Sequence, residues 1–128
     1  MEIKKICIVT RDQLDESKLE LVKRILESYN AQFDHTNVCD IEKNKFYKDA
    51  DIILSVGGDG TLLSAAKSAS ITNKPVMWIN IGHLGFLTAL EIEETELLKC
   101  LFLNEFDIDE RMMLECEYHT GDTVYKDY

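Results

Sequence analysis

The chain has 128 residues, 45% hydrophobic and 30% charged, with 24 acidic against 14 basic side chains and a formal charge of −10. That length suits a single core, and that balance excludes a disordered chain. So acidic a chain lacks the basic face that nucleic acid and anionic membranes require, although a phosphate site can still be built from backbone N–H groups and a metal ion.

No apolar run approaches the roughly 18 residues of a membrane span. The N-terminal apolar run is very short, has no small-residue cleavage site, and continues like a first strand, so the protein is expected to be cytoplasmic. Cys7, Cys39, Cys100 and Cys116 form no C-x-x-C pair, and the histidines are scattered. All four cysteines read as structural, with Cys7 a small buried hydrophobe.

In chain order, residues 4–10 are a β-branched-rich run bounded by charge, the pattern of a strand covered on both faces. Residues 11–16 are a polar connector. Ser17 and Glu20 fit a capping box, and Leu19, Val22, Ile25 and Leu26 recur at helical spacing as far as Ser28, with Asn30 as a stop. Residues 31–39 allow a short second strand, and 42–48 a loop or helical turn. Asp51 to Val56 is a clear strand. Thr61 onward, with Ala65, Ala66 and Ala69, predicts a helix with a small-residue face, broken at Asn73-Lys74-Pro75. Residues 76–81 are another strand, and 95–103 another amphipathic helix.

The alternation implies an α/β fold: a Rossmann-like, three-layer, mainly parallel sheet with right-handed crossovers. After Asn104 the pattern changes to half-exposed alternation at Leu114, Cys116 and Tyr118, with turn chemistry at 119–123. The expected division is an α/β nucleotide-binding domain over 1–104 and the start of a β domain over 105–128.

Two glycine-rich stretches fall at the carboxyl ends of predicted strands, where open α/β sheets bind ligands. The first is Gly57-Gly58-Asp59-Gly60-Thr61. Its glycines bare the backbone for an anion-binding nest, and the following helix adds its positive end. Asp59 has no basic residue within seven positions in sequence, so it can accept a proton or hold Mg²⁺. A lone G-G-x-G is more often a tight turn. The strand before, the helix after and the second loop tip this one toward a site.

The second stretch runs from Asn80 to Thr88. Gly82 and Gly85 free its backbone, and Leu84 and Phe86 can wall a planar ring. His83 and Lys67 carry less weight, and Trp78 reads as core.

Together G-G-D-G-T at 57–61 and N-x-G-x-x-G-F-L-T at 80–88 resemble the NAD kinase family. The first motif is shared with diacylglycerol and sphingosine kinases; the second makes the resemblance specific. Leu62-Leu63-x-Ala65-Ala66 and Arg111-Met112-Met113-Leu114 also resemble the family. The resemblance implies ATP-dependent phosphorylation of NAD at the adenosine ribose 2′-hydroxyl, with a divalent metal, Mg²⁺ by expectation.

On that resemblance Asp59 is the proton acceptor and, with Gly60, Leu84, Gly85 and Phe86, contacts NAD. Gly57, Gly58, Gly60 and Thr61 shape the phosphate loop. Some members carry a basic residue where this chain has Ser64. The implied partners are NAD and ATP, with no nucleic acid and no membrane, and a homo-oligomer is expected of the full-length protein. Family members are about twice as long, so the chain is expected to be an N-terminal fragment, weakly active or inactive alone. The competing readings are a lipid kinase domain and a non-enzymatic nucleotide-binding or assembly module.

Overall fold

The computed structural model describes residues 2–11, 16–81, 90–91, 96, 98–106, 108, 113–114 and 116–127. Its centre is a five-stranded, all-parallel sheet. The strands are β1 (Lys5–Thr10), β2 (Gln32–Asn37), β3 (Ile52–Gly57), β4 (Val76–Asn80) and β5 (Leu90–Glu91), in the order β2-β1-β3-β4-β5. The two most hydrophobic strands, β1 and β3, lie side by side in the middle. They are buried on both faces, as their near-continuous apolar runs require.

One face of the sheet carries Ile6, Ile8, Leu54, Val56 and Ile79. These pack against Leu19, Val22 and Leu26 of α1 (Glu16–Ser28) and against Leu98 and Leu101. The other face carries Cys7, Val9 and Ile53. These meet Ala65 and Ala69 of the helix Asp59–Thr72, with Ile41 of the 3-10 helix Val38–Lys43 and Tyr47 of α2 (Lys45–Asp49) beside them. This is the three-layer α/β arrangement that the alternation predicts. The small-residue face of α3 (Asp59–Thr72) is the one that meets the sheet, and Ala65 and Ala69 are almost fully buried there.

Cys7 is a core residue, and its burial pushes the thiol up to about 12, with Asp34 adding to the effect. Asp51 fastens the start of the sheet: its carboxylate accepts from the backbone N–H groups of Lys4 and Lys5, each at 2.9 Å.

Three left-handed asparagines end helices. Asn30 follows α1, Asn73 caps α3, and Asn104 follows α4 (Lys99–Phe102), all with φ between 55 and 57°. Asparagine is the residue after glycine that tolerates this conformation best. A separate antiparallel hairpin pairs β6 (Cys116–Thr120) with β7 (Thr123–Asp127). Gly121 takes φ 62° as the first of its two loop residues, the pattern of a II′ turn.

Several elements differ from the sequence expectation. The predicted second strand is real but runs over Gln32–Asn37, while Cys39 belongs to the 3-10 helix. α1 begins at Glu16, so Ser17 sits inside its first turn and not at the cap. In the run 95–103, Glu96 and Leu98 are 3-10 helical and Lys99–Phe102 is α-helical, while Thr95 and Leu97 lie outside the described residues. β5 has two residues, too few to leave a periodic signature, and the acidic run from Glu91 hides it.

Candidate active site

β1, β3 and β4 end at one edge of the sheet. The pairs Val9↔Ser55 and Gly57↔Asn80 fix the register there. Ile81 N–H donates to the Gly57 carbonyl at 3.0 Å. The start of the second motif therefore lies directly against the first, and Asn80 is buried there. The remainder of that motif, with the predicted residues Gly82, His83, Leu84, Gly85 and Phe86, lies outside the described residues.

The first motif divides into a turn and a helix start. Gly57 closes β3 at φ 153°, a conformation that favours glycine, and a Cβ there would stand 2.8 Å from Thr61 Oγ1. Gly58 is the N-cap of α3, with extended backbone and no side chain to cap the helix. The helix expected from near Thr61 starts at Asp59. Asp59, Gly60 and Thr61 are its first three residues, because Gly58 already supplies the extended conformation a cap needs.

First-turn N–H groups have no partner within their own helix and collect the positive end of its dipole. An uncapped first turn is a place for an anion, and Asp59 puts a carboxylate at its edge.

Gly60 lies under an arginine side chain. Its Cβ would stand 3.1–3.2 Å from three atoms of the Arg11 guanidinium. Arg11 leaves the end of β1, and its Nη2 donates to the Gly60 carbonyl at 3.1 Å and to Ser64 Oγ at 3.4 Å. In the sequence Arg11 reads as connector. The signal available was its place at the carboxyl end of a strand, but only the adjacency of β1 and β3 reveals what it reaches.

Beyond Ser64, a shallow groove of about 340 Å³ runs between α3 and the 3-10 helix. Its walls include Cys39, Glu42, Ser64, Lys67 and Ile71. Lys67 is thus on the same side of α3 as Ser64. Behind the loop, Ser55 and Trp78 face each other across β3 and β4, and Ser55 Oγ and Trp78 Nε1 are buried without a partner among the described residues. Trp78 as a whole is half-buried, less enclosed than a core residue.

Among the described residues no group of three or more His, Cys, Asp or Glu side chains can hold a metal ion. A single carboxylate, Asp59, beside an anion seat suits a hard cation such as Mg²⁺, which is commonly held by one or two carboxylates and its ligand's phosphates.

The profile of the ATP-NAD kinase N-terminal domain matches residues 4–105. The chain belongs to the NAD kinase family. The NAD kinase of Clostridium kluyveri is 36% identical over 107 residues, which are 83% of this chain and 37% of that one. That of Campylobacter lari is 34% identical over 125 residues, 87% of this chain and 45% of the relative. That of Caldanaerobacter subterraneus is 39% identical over 82 residues, 62% of this chain and 28% of its own.

The chain thus spans less than half the length of these curated relatives. Among solved structures, a Fusobacterium nucleatum flavodoxin mutant bound to flavin mononucleotide aligns with 81% of this chain and 66% of its own, at 13% identity and a TM-score of 0.45. No helix among the described residues is long and apolar enough to cross a membrane.

Proposed function

We propose that the protein is an NAD kinase, transferring the γ-phosphoryl group of ATP to the 2′-hydroxyl of the adenosine ribose of NAD. The observation that carries this reading is the position of Asp59, the first residue of an α3 whose N-cap has no side chain to close its first turn. Membership of the family and the named relatives support the same reaction.

In the reaction the 2′-oxygen attacks the γ-phosphorus and the bond to the bridging oxygen breaks, releasing ADP. The hydroxyl proton passes to the Asp59 carboxylate. Phosphoryl transfer requires positioning and charge neutralisation more than covalent help. Gly57, Gly58, Gly60 and Thr61 supply the first through a bare, uncapped first turn; the dipole of α3 contributes to the second. A divalent metal carried on the phosphates would add charge neutralisation there.

Leu84, Gly85 and Phe86 are proposed to line the dinucleotide pocket with Asp59 and Gly60. A cytoplasmic location and a homo-oligomeric full-length protein complete the proposal. No feature of the described residues favours the lipid-kinase or assembly-module readings.

The test is NADP formation from NAD and ATP with Mg²⁺, with diacylglycerol as the alternative acceptor. NADP as product and no phosphatidic acid is the expected result, with turnover lost on chelation by EDTA and regained on adding Mg²⁺. Phosphorylated lipid without NADP overturns the reading.

A further inference from the structure

The geometry points to Arg11 as a phosphate-binding residue: its guanidinium, seated on the first turn of α3, engages the polyphosphate of the phosphoryl donor. This rests on the reading above, in which that turn receives a polyphosphate.

Three observations carry it. The first is topological. Val9 pairs with Ser55 in a parallel register, so Arg11 and Gly57 each lie two residues beyond that pair, on adjacent strands leaving the sheet at the same edge. A cation from 49 positions away in sequence is thereby delivered to a loop that has none of its own.

The second is the seat. Three guanidinium atoms lie 3.1–3.2 Å from where a Cβ on Gly60 would stand, so the guanidinium rests closely on the first turn of α3.

The third is the bonding. Among the described residues, both hydrogen bonds of the guanidinium are made by Nη2, and both go to neutral oxygens, the Gly60 carbonyl and Ser64 Oγ. Neither acceptor needs Arg11. In an α-helix the Gly60 carbonyl already accepts from the N–H four residues on, and an exposed hydroxyl is satisfied by water. The contact therefore does little for the fold. It holds an exposed, planar, permanently charged fork beside the positive end of α3, in a chain of net charge −10. Such a fork matches two phosphate oxygens at once, which an ammonium group does not.

Nucleoside triphosphates and inorganic polyphosphate share the chemistry, and binding without turnover separates them. The protein, its Arg11→Ala and Arg11→Lys variants, and Arg11→Ala combined with Ser64→Lys are titrated calorimetrically with inorganic tripolyphosphate and, separately, with Mg–ATP.

Arg11→Ala is expected to weaken binding about 10- to 100-fold, the worth of one or two charge-assisted hydrogen bonds. Arg11→Lys is expected to fall between the wild type and Arg11→Ala, with an unchanged melting temperature that keeps it a fold-safe control. A lysine at 64, beside the place the guanidinium held, is expected to restore part of the loss, which a merely structural role for Arg11 does not predict. Weakening with both ligands marks a site common to both donors; weakening with one alone assigns Arg11 to that donor. Equal binding by wild type and Arg11→Ala, or no binding of either ligand by the wild type, overturns the inference.

The two readings fail separately. Arg11-dependent binding in a protein that makes no NADP sinks the kinase reading alone. Arg11-independent binding in a protein that makes NADP sinks this one alone.

Discussion

Gly57 and Gly58 stand in different surroundings, and each predicts a different response to a side chain. Gly57 combines φ 153° with a would-be Cβ 2.8 Å from Thr61 Oγ1. Gly57→Ala is expected to cost about 1–3 kcal/mol in urea unfolding, the usual scale of imposed backbone strain. Gly58 has open space around it and the extended backbone of an N-cap. Gly58→Ser is therefore expected to stabilise α3 by a few tenths of a kcal/mol, because serine caps better than glycine. The same serine would occupy first-turn N–H groups, so tripolyphosphate binding should fall as the melting temperature rises. A variant that gains stability and keeps full binding would show that those N–H groups are not the anion seat.

At the scale of elements, helix stops were legible in the sequence because they depend on one residue. Asn30 and Asn73 are short polar side chains that tolerate the left-handed conformation, and both end helices where expected. Asn73→Gly should be neutral or slightly stabilising, whereas Asn73→Val, β-branched at φ 55°, should cost about 1–2 kcal/mol; chemical denaturation distinguishes them.

The edge strands were less legible. β2 has the pattern Gln-Phe-Asp-His-Thr-Asn, with one fully buried residue, so its apolar signal is weak. It is held in part by the side-chain contact between His35 and the buried Thr10. Partial burial, and secondarily Lys23, lower the pKa of His35, against a smaller opposing effect of Asp34.

The sign follows from linkage. A histidine whose folded pKa is depressed resists protonation when folded, so the unfolded state binds more protons as the pH falls below about 6.5. The contribution of His35 is fully present above that pH and is lost as the pH falls through its folded value. Wild type should therefore lose more stability between pH 7.5 and 5.5 than His35→Gln does. Parallel pH profiles of the two urea midpoints would remove His35 from the balance.

At the scale of the whole molecule, the fold class was legible because β1 and β3 are near-continuous apolar runs separated by a helical period, which leaves few arrangements other than a parallel sheet with covered faces. The candidate site was placed by the same pattern, since strand ends in such a sheet are where ligands bind. Arg11 was not. Its partners Gly60 and Ser64 are 49 and 53 positions away, and only the order β2-β1-β3-β4-β5 places β1 beside β3.

The central claim is that this edge performs phosphoryl transfer with Asp59 as the proton acceptor. Steady-state NADP formation by Asp59→Asn in the full-length protein, beside its melting temperature and its tripolyphosphate binding, tests it most directly. The account predicts a fall in kcat of about 100-fold or more, the contribution of a positioned base. Stability should change by no more than about 1 kcal/mol, the value of a carboxylate at a helix start, and phosphate binding should be retained. Turnover near the wild-type rate in a folded Asp59→Asn protein would contradict the assignment.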